Sequence, residues 1–390
     1  MAEASLSTGF LDRLREFPTL YRLLRAIRSA LLHVATETLR ACTKGFTRLG
    51  PPAATISLTD EIRRKQIEGR VVLEAQPLPD PAPRSVLART GADLKRFYPW
   101  PIIWARIPSA RLVGPSLALM LFDKRLAIES LWNEHCYQND PSYTYFALPK
   151  ARRLAGNWTS LVGRYQVSYF HWIMDALPRL ACLDEFPSDT RVLIPAKPRS
   201  YEKDSLRLLK LLSRTRETHE RHLEIENYYF SGPTAMTGVS NPYAVRYLRT
   251  KLIPHGIPPK SSQPYLFIAR RGKTRGLANE VQVAHFFEQR NWTVIDPENL
   301  SFPEQIGLFR QAQAICASHG AALTNLLWCD AGTRVLEIFA HNFLNGCYET
   351  ISAICGVNHR YLILQGDAAF RVTVPIHLLE KQFAWLNEAD

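Results

Sequence analysis

Hydrophobic positions change their spacing along this chain, and the change divides it into regions. Between residues 8 and 48, leucines and other apolar residues recur every three or four positions with arginines between them. This pattern predicts a basic amphipathic helical segment within residues 1–50. Such a helix can lie on an anionic membrane surface or pack against protein, and the sequence leaves both interpretations open. Residues 51–97 are rich in proline, which favours an extended connecting segment.

Short apolar runs after residue 98 predict strands that alternate with helices. Runs at 117–122 and 125–128 flank an Asp-Lys turn and predict a hairpin. Further along, a strand at 191–194, a helix at 205–212 and a strand near 228–230 indicate an α/β domain over residues 98–257. Prolines and serines then cluster near residues 254–264, which we take as the domain boundary.

The C-terminal half has the most regular alternation of strands and helices. The predicted strands lie at 265–269, 292–295, 312–317, 334–339 and 361–364, and the predicted helices at 279–289, 303–310, 321–325 and 345–355. A β-α-β repeat of this kind predicts a parallel sheet with helices on both faces, a Rossmann-like domain over residues 262–365. A final helix at 376–387, within residues 366–390, is expected to pack back across the N-terminal half.

Composition and charge narrow the class of protein. The 390 residues are 46% hydrophobic and carry a net charge of +12, so the chain is globular and suited to acidic partners such as phosphates. Because no nucleic-acid-binding motif occurs, nucleic acid is not expected as a partner. The seven cysteines include no CxxC pair, which favours reduced thiols.

The chain does not begin like a secretory signal peptide, and no apolar stretch reaches the ~18 residues of a membrane span. These features predict a cytoplasmic protein, with peripheral contact to the inner face of the membrane through residues 8–48 as an option. Oligomeric state is left open.

Two loops of the C-terminal half carry candidate ligand-binding groups at the carboxyl ends of predicted strands, where open parallel sheets bind ligands. The first, residues 270–275, holds four cations that suit a diphosphate: Arg270, Arg271, Lys273 and Arg275. The second, residues 318–325, has small residues that allow close backbone approach to an anion at a helix start. A solvated basic loop and an ordinary tight turn remain the alternatives.

His171 and Asp175 are the candidates for acid–base chemistry in the N-terminal half. Four residues apart on a helix, they share one face, and a carboxylate beside a histidine can orient it as a general base. The alternative is a buried histidine within an aromatic cluster. No metal or other cofactor is expected, because no Asp-x-Asp occurs and His219 and His222 lack zincin spacing. Those two histidines are expected on a charged surface helix.

Three segments together resemble glycosyltransferase family 61, whose bacterial members are often labelled capsular polysaccharide biosynthesis proteins. The family pattern N-Y-F-H-W-x-x-[DE]-x-L-P-R-L resembles residues 168–180, and S-R-x-x-x-x-R-x-x-x-N-E resembles residues 269–280. The pattern G-A-G-L-T-N resembles residues 320–325, and P-G-T-x-V-x-E resembles the run that ends at Glu337. The resemblance covers roughly residues 100–385, and the order and spacing of three motifs make it specific.

The resemblance implies a GT-B fold, with two Rossmann-like domains facing a cleft. It also implies inverting transfer of a hexose or pentose from a nucleotide sugar to a glycan or lipid-linked acceptor. Either His171 or Asp175 would be the base, and Glu337 would contact the ribose or brace its loop. The residues that would hold the donor nucleotide are Arg270, Arg275, Asn279, His319, Gly320, Ala321, Leu323, Thr324 and Asn325.

Three positions depart from the family pattern: Ser168 replaces asparagine, Ala269 replaces serine and Ala322 replaces the second glycine. The added methyl group of Ala322 is tolerated only if its φ is negative. These departures keep a second hypothesis open, a non-catalytic protein of the same fold that acts as a scaffold or regulator of polysaccharide assembly. A third is another nucleotide-dependent enzyme, such as an epimerase. No GxGxxG follows the first C-terminal strand, which argues against a nicotinamide cofactor.

Overall fold

The computed structural model describes residues 54–75, 101–131, 150–163, 168–234, 238–259, 264–271 and 274–387, together with six isolated positions. The predicted amphipathic segment, residues 1–50, therefore lies outside the described residues apart from four helical positions, Leu31, Val34, Ala35 and Thr38. Within the described ranges, no helix combines the length and the apolar character that crossing a membrane would require.

The first sheet contains nine strands of the described N-terminal residues: β1 Ala54–Ile56, β2 Gly69–Leu73, β3 Ile102–Val113, β4 Ala118–Met120, β5 Arg125–Ala127, β6 Arg152–Ser160, β7 Arg191–Pro195, β8 Thr215–Thr218 and β9 His222–Ser231. Their order is β1-β5-β4-β3-β9-β6-β7-β8, with β2 on β3. Strands β9, β6, β7 and β8 run parallel, whereas β3 is antiparallel to β9, β4 and β2. The N-terminal half is thus a mixed sheet that is Rossmann-like only at one end.

The second sheet is entirely parallel, as its β-α-β pattern predicts. Its strands are β10 Tyr265–Ile268, β11 Thr293–Ile295, β12 Ala314–Ser318, β13 Arg334–Ala340 and β14 Asn358–Leu364, in the order β11-β10-β12-β13-β14. Every residue of β12 and β13 is buried, because helices cover both faces of a parallel sheet.

The α-helices are α1 Leu58–Arg63, α2 Tyr169–His171, α3 Ser200–Leu208, α4 Pro242–Leu252, α5 Glu280–Glu288, α6 Phe302–Gln311, α7 Cys347–Cys355 and α8 Ile376–Asn387. Helix α2 continues as a π-helix, Trp172–Ala176, and then as a 3₁₀ helix, Leu177–Glu185. Shorter 3₁₀ segments are Ile128–Leu131, Leu212–Arg214, Ile253–His255 and Pro297–Asn299. Ser301 caps α6, and Ala321–Trp328 forms a 3₁₀ helix.

Three regions differ from the sequence expectations. The proposed connecting segment, residues 51–97, contains β1, α1 and β2, which join the first sheet. The expected surface helix around residues 219–222 is instead the turn from β8 into β9. Among the described residues, helix α8 packs on β12 and β13 through Leu379 and Leu386, whereas packing across the N-terminal half was expected. Its periodicity identifies an apolar face but not the surface that this face covers.

One hydrophobic core contains side chains from both halves of the chain. Trp172 and Ile173 of the N-terminal half share it with Phe302 and Trp328 of the C-terminal half. A hydrogen bond also crosses here, because the Tyr169 hydroxyl lies 2.6 Å from Oδ1 of Asn325. These contacts hold the segment around residues 168–176 against the C-terminal half.

Candidate functional site

The order of strands in the second sheet creates a crevice between β10 and β12. The chain passes from β10 to β11 on one side and then crosses to β12 on the other, so the loops that follow β10 and β12 diverge. Ligands of open α/β sheets bind beyond the carboxyl ends of the strands at such a switch point. The crevice between Arg270, which follows β10, and Gly320, which follows β12, is therefore the first place to look for a site.

A cavity of about 630 Å³ opens at this edge of the sheet. Its walls come from both halves of the chain and comprise Ser168, Tyr169, Arg199, Ser200, Tyr201, Ala269, Arg270, Arg275, Asp296, Pro297, Glu298, Leu300, Phe302, Gln305, Ala321 and Ala322. Its volume lies within the ~300–1,000 Å³ of small-molecule sites. A second cavity, of about 750 Å³, is lined by Gln313 and Thr333 at the amino ends of β12 and β13, the opposite edge of the sheet.

Arg270 links the two diverging loops. The Glu280 carboxylate accepts hydrogen bonds from the backbone N–H groups of Arg270 and Arg271, each at 2.6 Å, and so fixes the turn after β10. The Arg270 guanidinium then donates to the carbonyl oxygens of His319, at 3.2 Å, and Thr274, at 3.0 Å. It lies directly on Gly320, where a Cβ atom would stand 1.4 Å from Nη1. Any larger residue at position 320 would displace the Arg270 guanidinium from this position.

The charge of Arg270 is poorly compensated by the protein. Burial lowers the pKa of Arg270, and repulsion by Arg275 lowers it further, so that it lies below its ordinary value. The Nε–H of Arg270 is buried and has no hydrogen-bond partner among the described residues. Arg275 and Arg199 line the same cavity. A bound anion would relieve this excess of positive charge.

The other predicted donor-binding residues after β10 do not share the position of Arg270. Arg275 lies over the Phe343 ring, with the guanidinium carbon 5.0 Å from the ring centroid. Gly272 and Lys273, which belong to the predicted phosphate loop, lie outside the described residues. Asn279 does not line the cavity, because its amide pairs with the backbone N–H and C=O of Val374, both at 2.9 Å.

The turn after β12 divides into a cavity-facing part and a buried part. Ala321 and Ala322 line the cavity, and Ala322 lies within the 3₁₀ helix without a positive φ, so its methyl group causes no backbone strain. Leu323, Thr324 and Asn325 are fully buried. The Asn325 side chain accepts hydrogen bonds from Tyr169 and Trp328 and donates to Gln305, so it holds the cavity wall together.

Glu337 lies behind the turn, within a buried chain of hydrogen bonds. Its Oε1 is 2.5 Å from Nδ1 of His319, and its Oε2 is 3.0 Å from Nε2 of His359. Burial raises the pKa of Glu337, but attraction and hydrogen bonds from these two histidines outweigh it and hold the pKa below its ordinary value. Of the two roles expected for Glu337, these contacts fit the bracing of the loop. His359 was not foreseen, because a lone histidine in a strand carries no sequence signal.

His171 and Asp175 form the predicted pair. Nδ1 of His171 lies 2.6 Å from Oδ2 of Asp175, and an ionised carboxylate can only accept, so the proton belongs to Nδ1. The His171 side chain is 25% exposed, whereas that of Asp175 is 2% exposed. The pair sits where α2 widens into a π-helix, a distortion that often occurs at functional sites. Ser168 caps α2 with its hydroxyl, a role that the family's asparagine can also fill.

A buried arginine accompanies this pair. Burial lowers the pKa of Arg179, and attraction to Tyr228 and Asp175 only partly offsets that effect. The cation favours the ionised form of the Asp175 carboxyl, which orients His171.

The structure brings only part of the predicted site into the cavity. Arg270, Arg275 and Ala321 line it, whereas His171 and Asp175 do not, although Ser168 and Tyr169 of the same turn do. Most of the other cavity residues were missed, among them the polar side chains of Arg199, Tyr201 and Asp296. Asp296 could have been found, because it directly follows the strand predicted at 292–295, at the ligand-binding edge.

Two further sequence expectations concern metals and thiols. Among the described residues, no three histidine, cysteine, aspartate or glutamate side chains are grouped closely enough to hold a metal ion. Five cysteines are described, Cys182, Cys316, Cys329, Cys347 and Cys355, and these are buried free thiols. Cys42 and Cys136 lie outside the described residues.

These features define an α/β protein with a cationic ligand cavity at the switch point of a parallel sheet and a histidine–aspartate pair on the facing segment. The family model for glycosyltransferase 61 matches residues 169–336, and the chain therefore carries a glycosyltransferase 61 domain over this range. The match includes His171, Asp175, Arg270 and Gly320, and the resemblance stated from the three motifs is confirmed. No curated protein matches the chain. The family supports a transferase activity that in general uses a nucleotide-sugar donor and a glycan acceptor.

Proposed function

We propose that this protein is an inverting glycosyltransferase of GT-B-like arrangement. It would move a sugar from a nucleotide sugar to a hydroxyl group of a glycan or lipid-linked acceptor in the biosynthesis of cell-surface polysaccharide or another glycan. The observation that carries the proposal is the Arg270 guanidinium, which bridges the loops after β10 and β12 on top of Gly320. If residues 8–48 contact the inner face of the membrane, they would bring the site close to a lipid-linked acceptor.

In this proposal the diphosphate of the donor lies against Arg270 and Arg275. Arginine forks pair well with phosphate oxygens, and the backbone N–H groups at the start of the 3₁₀ helix, Ala321–Trp328, add partial positive charge. These groups stabilise the negative charge that develops on the leaving nucleoside diphosphate, which is the largest contribution such a site can make. The proposal assigns this role to cations and helix ends rather than to a metal ion.

His171 is the proposed general base, and Asp175 is the residue that positions it. With Nδ1–H held by Asp175, Nε2 takes the proton of the acceptor hydroxyl. The acceptor oxygen attacks the anomeric carbon in line as the bond to the diphosphate oxygen breaks and its electron pair leaves with the nucleoside diphosphate. One such displacement inverts the anomeric configuration.

Thermal unfolding with a panel of nucleoside diphosphates and nucleotide sugars tests the proposal. A ligand that binds only the folded protein stabilises it by about 2.7 kcal/mol at a hundredfold excess over Kd. We expect one nucleotide to raise Tm in the wild type and in Arg310→Ala, but not in Arg270→Ala. Arg310 is the matched control because it lines the cavity at the opposite edge of the sheet. If the Tm increase is lost only in Arg310→Ala, the nucleotide binds in the cavity that Arg310 lines. If no nucleotide raises Tm in the wild type, donor binding is contradicted.

The non-catalytic alternative rests on the three departures from the family pattern. Two of them are accommodated locally, because Ser168 keeps the cap of α2 and Ala322 lies in a helical turn without a positive φ. Ala269 adds no polar group to the cavity that it lines. Donor binding without transfer to any acceptor would favour a scaffold or regulator.

A further inference from the structure

Asp296 occupies the position next to Arg270 on the ligand-binding edge of the sheet. It directly follows β11, and the backbone N–H of Ala269 donates to the carbonyl of Ile295 at 2.8 Å, so the ends of β10 and β11 lie side by side. The Asp296 carboxylate lines the cavity and is only 12% exposed. Its Oδ1 accepts the backbone N–H of Glu298 at 3.1 Å, which fixes the orientation of the group.

The cavity that Asp296 lines also contains groups of two other kinds. The cations Arg270 and Arg275 line it, and so do apolar side chains of the segment after Asp296, Pro297, Leu300 and Phe302, together with Tyr201 of the N-terminal half. Tyr201 packs edge-on against Tyr169, with ring centroids 5.1 Å apart. The cavity thus combines cationic, acidic and aromatic side chains.

We propose that Asp296 binds the ribose hydroxyls of the donor and makes the site selective for ribonucleotides over 2′-deoxyribonucleotides. The inference rests on the proposed function, because it assumes that the diphosphate lies at Arg270 and Arg275. Cationic, acidic and aromatic groups in one cavity suit the phosphate, ribose and base of a nucleoside diphosphate. A fixed carboxylate can accept hydrogen bonds from both ribose hydroxyls at once.

The spacing of the strands supports this assignment. Neighbouring strands lie ~4.8 Å apart, so Asp296 is about one strand spacing from the backbone of Arg270. An acidic side chain after the second strand of a nucleotide-binding sheet is also the usual partner of a ribose hydroxyl.

Equilibrium binding of matched ribo- and deoxyribonucleotides tests the inference. The probes are UDP, ADP, GDP and CDP with their 2′-deoxy counterparts, titrated into the full chain by calorimetry. For the base that binds, we expect the wild type to prefer the ribonucleotide by about tenfold or more, the usual value of a hydrogen bond to a charged group. In Asp296→Asn the preference should fall to about threefold or less, mainly because ribonucleotide binding weakens.

The controls separate this inference from the proposed function. Glu288→Gln removes a carboxylate from the exposed end of α5 and should keep the wild-type preference. Asp296→Ser keeps a capping residue at this position, and it provides a second test if Asp296→Asn folds poorly. An unchanged ribonucleotide preference in both Asp296 variants overturns the role of Asp296 alone. If no nucleotide binds the wild type, the donor site and this inference both fail.

Discussion

Two histidine–carboxylate pairs lie in the two halves of the molecule and have almost the same geometry. In each, the carboxylate holds Nδ1 of the histidine, at 2.6 Å for His171 and Asp175 and at 2.5 Å for His319 and Glu337. Their surroundings differ. His171 is 25% exposed and His319 only 4% exposed, while both carboxylates are 2% exposed. The same contact therefore serves an accessible ring in one half and a buried ring in the other.

The second pair belongs to a longer chain of buried groups. Glu337 also holds His359, whose Nδ1 lies 2.9 Å from the Ser352 hydroxyl, and the His319 ring stacks on Phe339. The backbone carbonyl of His319, not its ring, contacts a cavity residue, because it accepts a hydrogen bond from the Arg270 guanidinium. We infer that the C-terminal pair fixes the loop beneath Arg270, whereas the N-terminal pair presents a ring that can exchange a proton.

The largest expected effect is on turnover, from His171→Ala. Removal of a general base lowers the rate by about 10²–10⁴-fold, while donor affinity and Tm should change little because His171 is partly exposed. The measurement is kcat and Kd for the donor identified by the nucleotide panel. His255→Ala, at an exposed position, is the matched control. If kcat falls by less than about tenfold, His171 is not the general base.

The second-largest expected effect is a loss of stability in Glu337→Gln. The change removes a buried charge between His319 and His359, and breaking such a buried pair costs about 3 kcal/mol. We expect a lower free energy of unfolding at neutral pH in chemical denaturation. If Glu337→Gln instead lowers kcat as strongly as His171→Ala does, with unchanged stability, the contrast between the two pairs is wrong.

The stability difference between the wild type and Glu337→Gln should also depend on pH. The pKa of Glu337 is lower in the folded protein than its ordinary value of 4.5. Its stabilising contribution is therefore complete above that value and is lost as the pH falls through the folded-state pKa. The difference in unfolding free energy between the wild type and Glu337→Gln should be largest near neutral pH and should shrink below pH 4.5. Denaturation curves at several pH values check this.

The two pairs also show what the sequence can predict. The i, i+4 spacing of His171 and Asp175 is local, and a helix alone brings the two side chains together. Glu337 belongs to β13 and His319 directly follows β12, and only the register of β12 beside β13 places them in contact. Family resemblance brought them into the predicted site, but their bracing role depends on burial and on His359, which no local pattern indicates.

The same distinction applies to the fold. The runs of β12 and β13 are mostly apolar and bounded by turn residues, so the C-terminal sheet could be predicted strand by strand. The bounds of α8 were predicted correctly, but its packing partner was not, because periodicity describes one face and not the surface opposite. Arg199 and Tyr201 reach the cavity only through the contact between the halves. Tertiary placement of that kind has no signature in a single sequence.

The smallest expected effect comes from Ser352→Ala at the outer end of the buried chain. Its hydroxyl is the partner of Nδ1 of His359, and loss of one buried hydrogen bond costs about 1 kcal/mol. Because four hydrogen bonds in series separate Ser352 from Arg270, donor affinity and kcat should remain near wild type while Tm falls. Chemical denaturation, donor titration and kcat on the same preparations provide the test. A Ser352→Ala variant with normal stability but weakened donor binding would mean that the buried chain tunes the ligand site directly, and the C-terminal pair would then share the functional role that we assign to the N-terminal one.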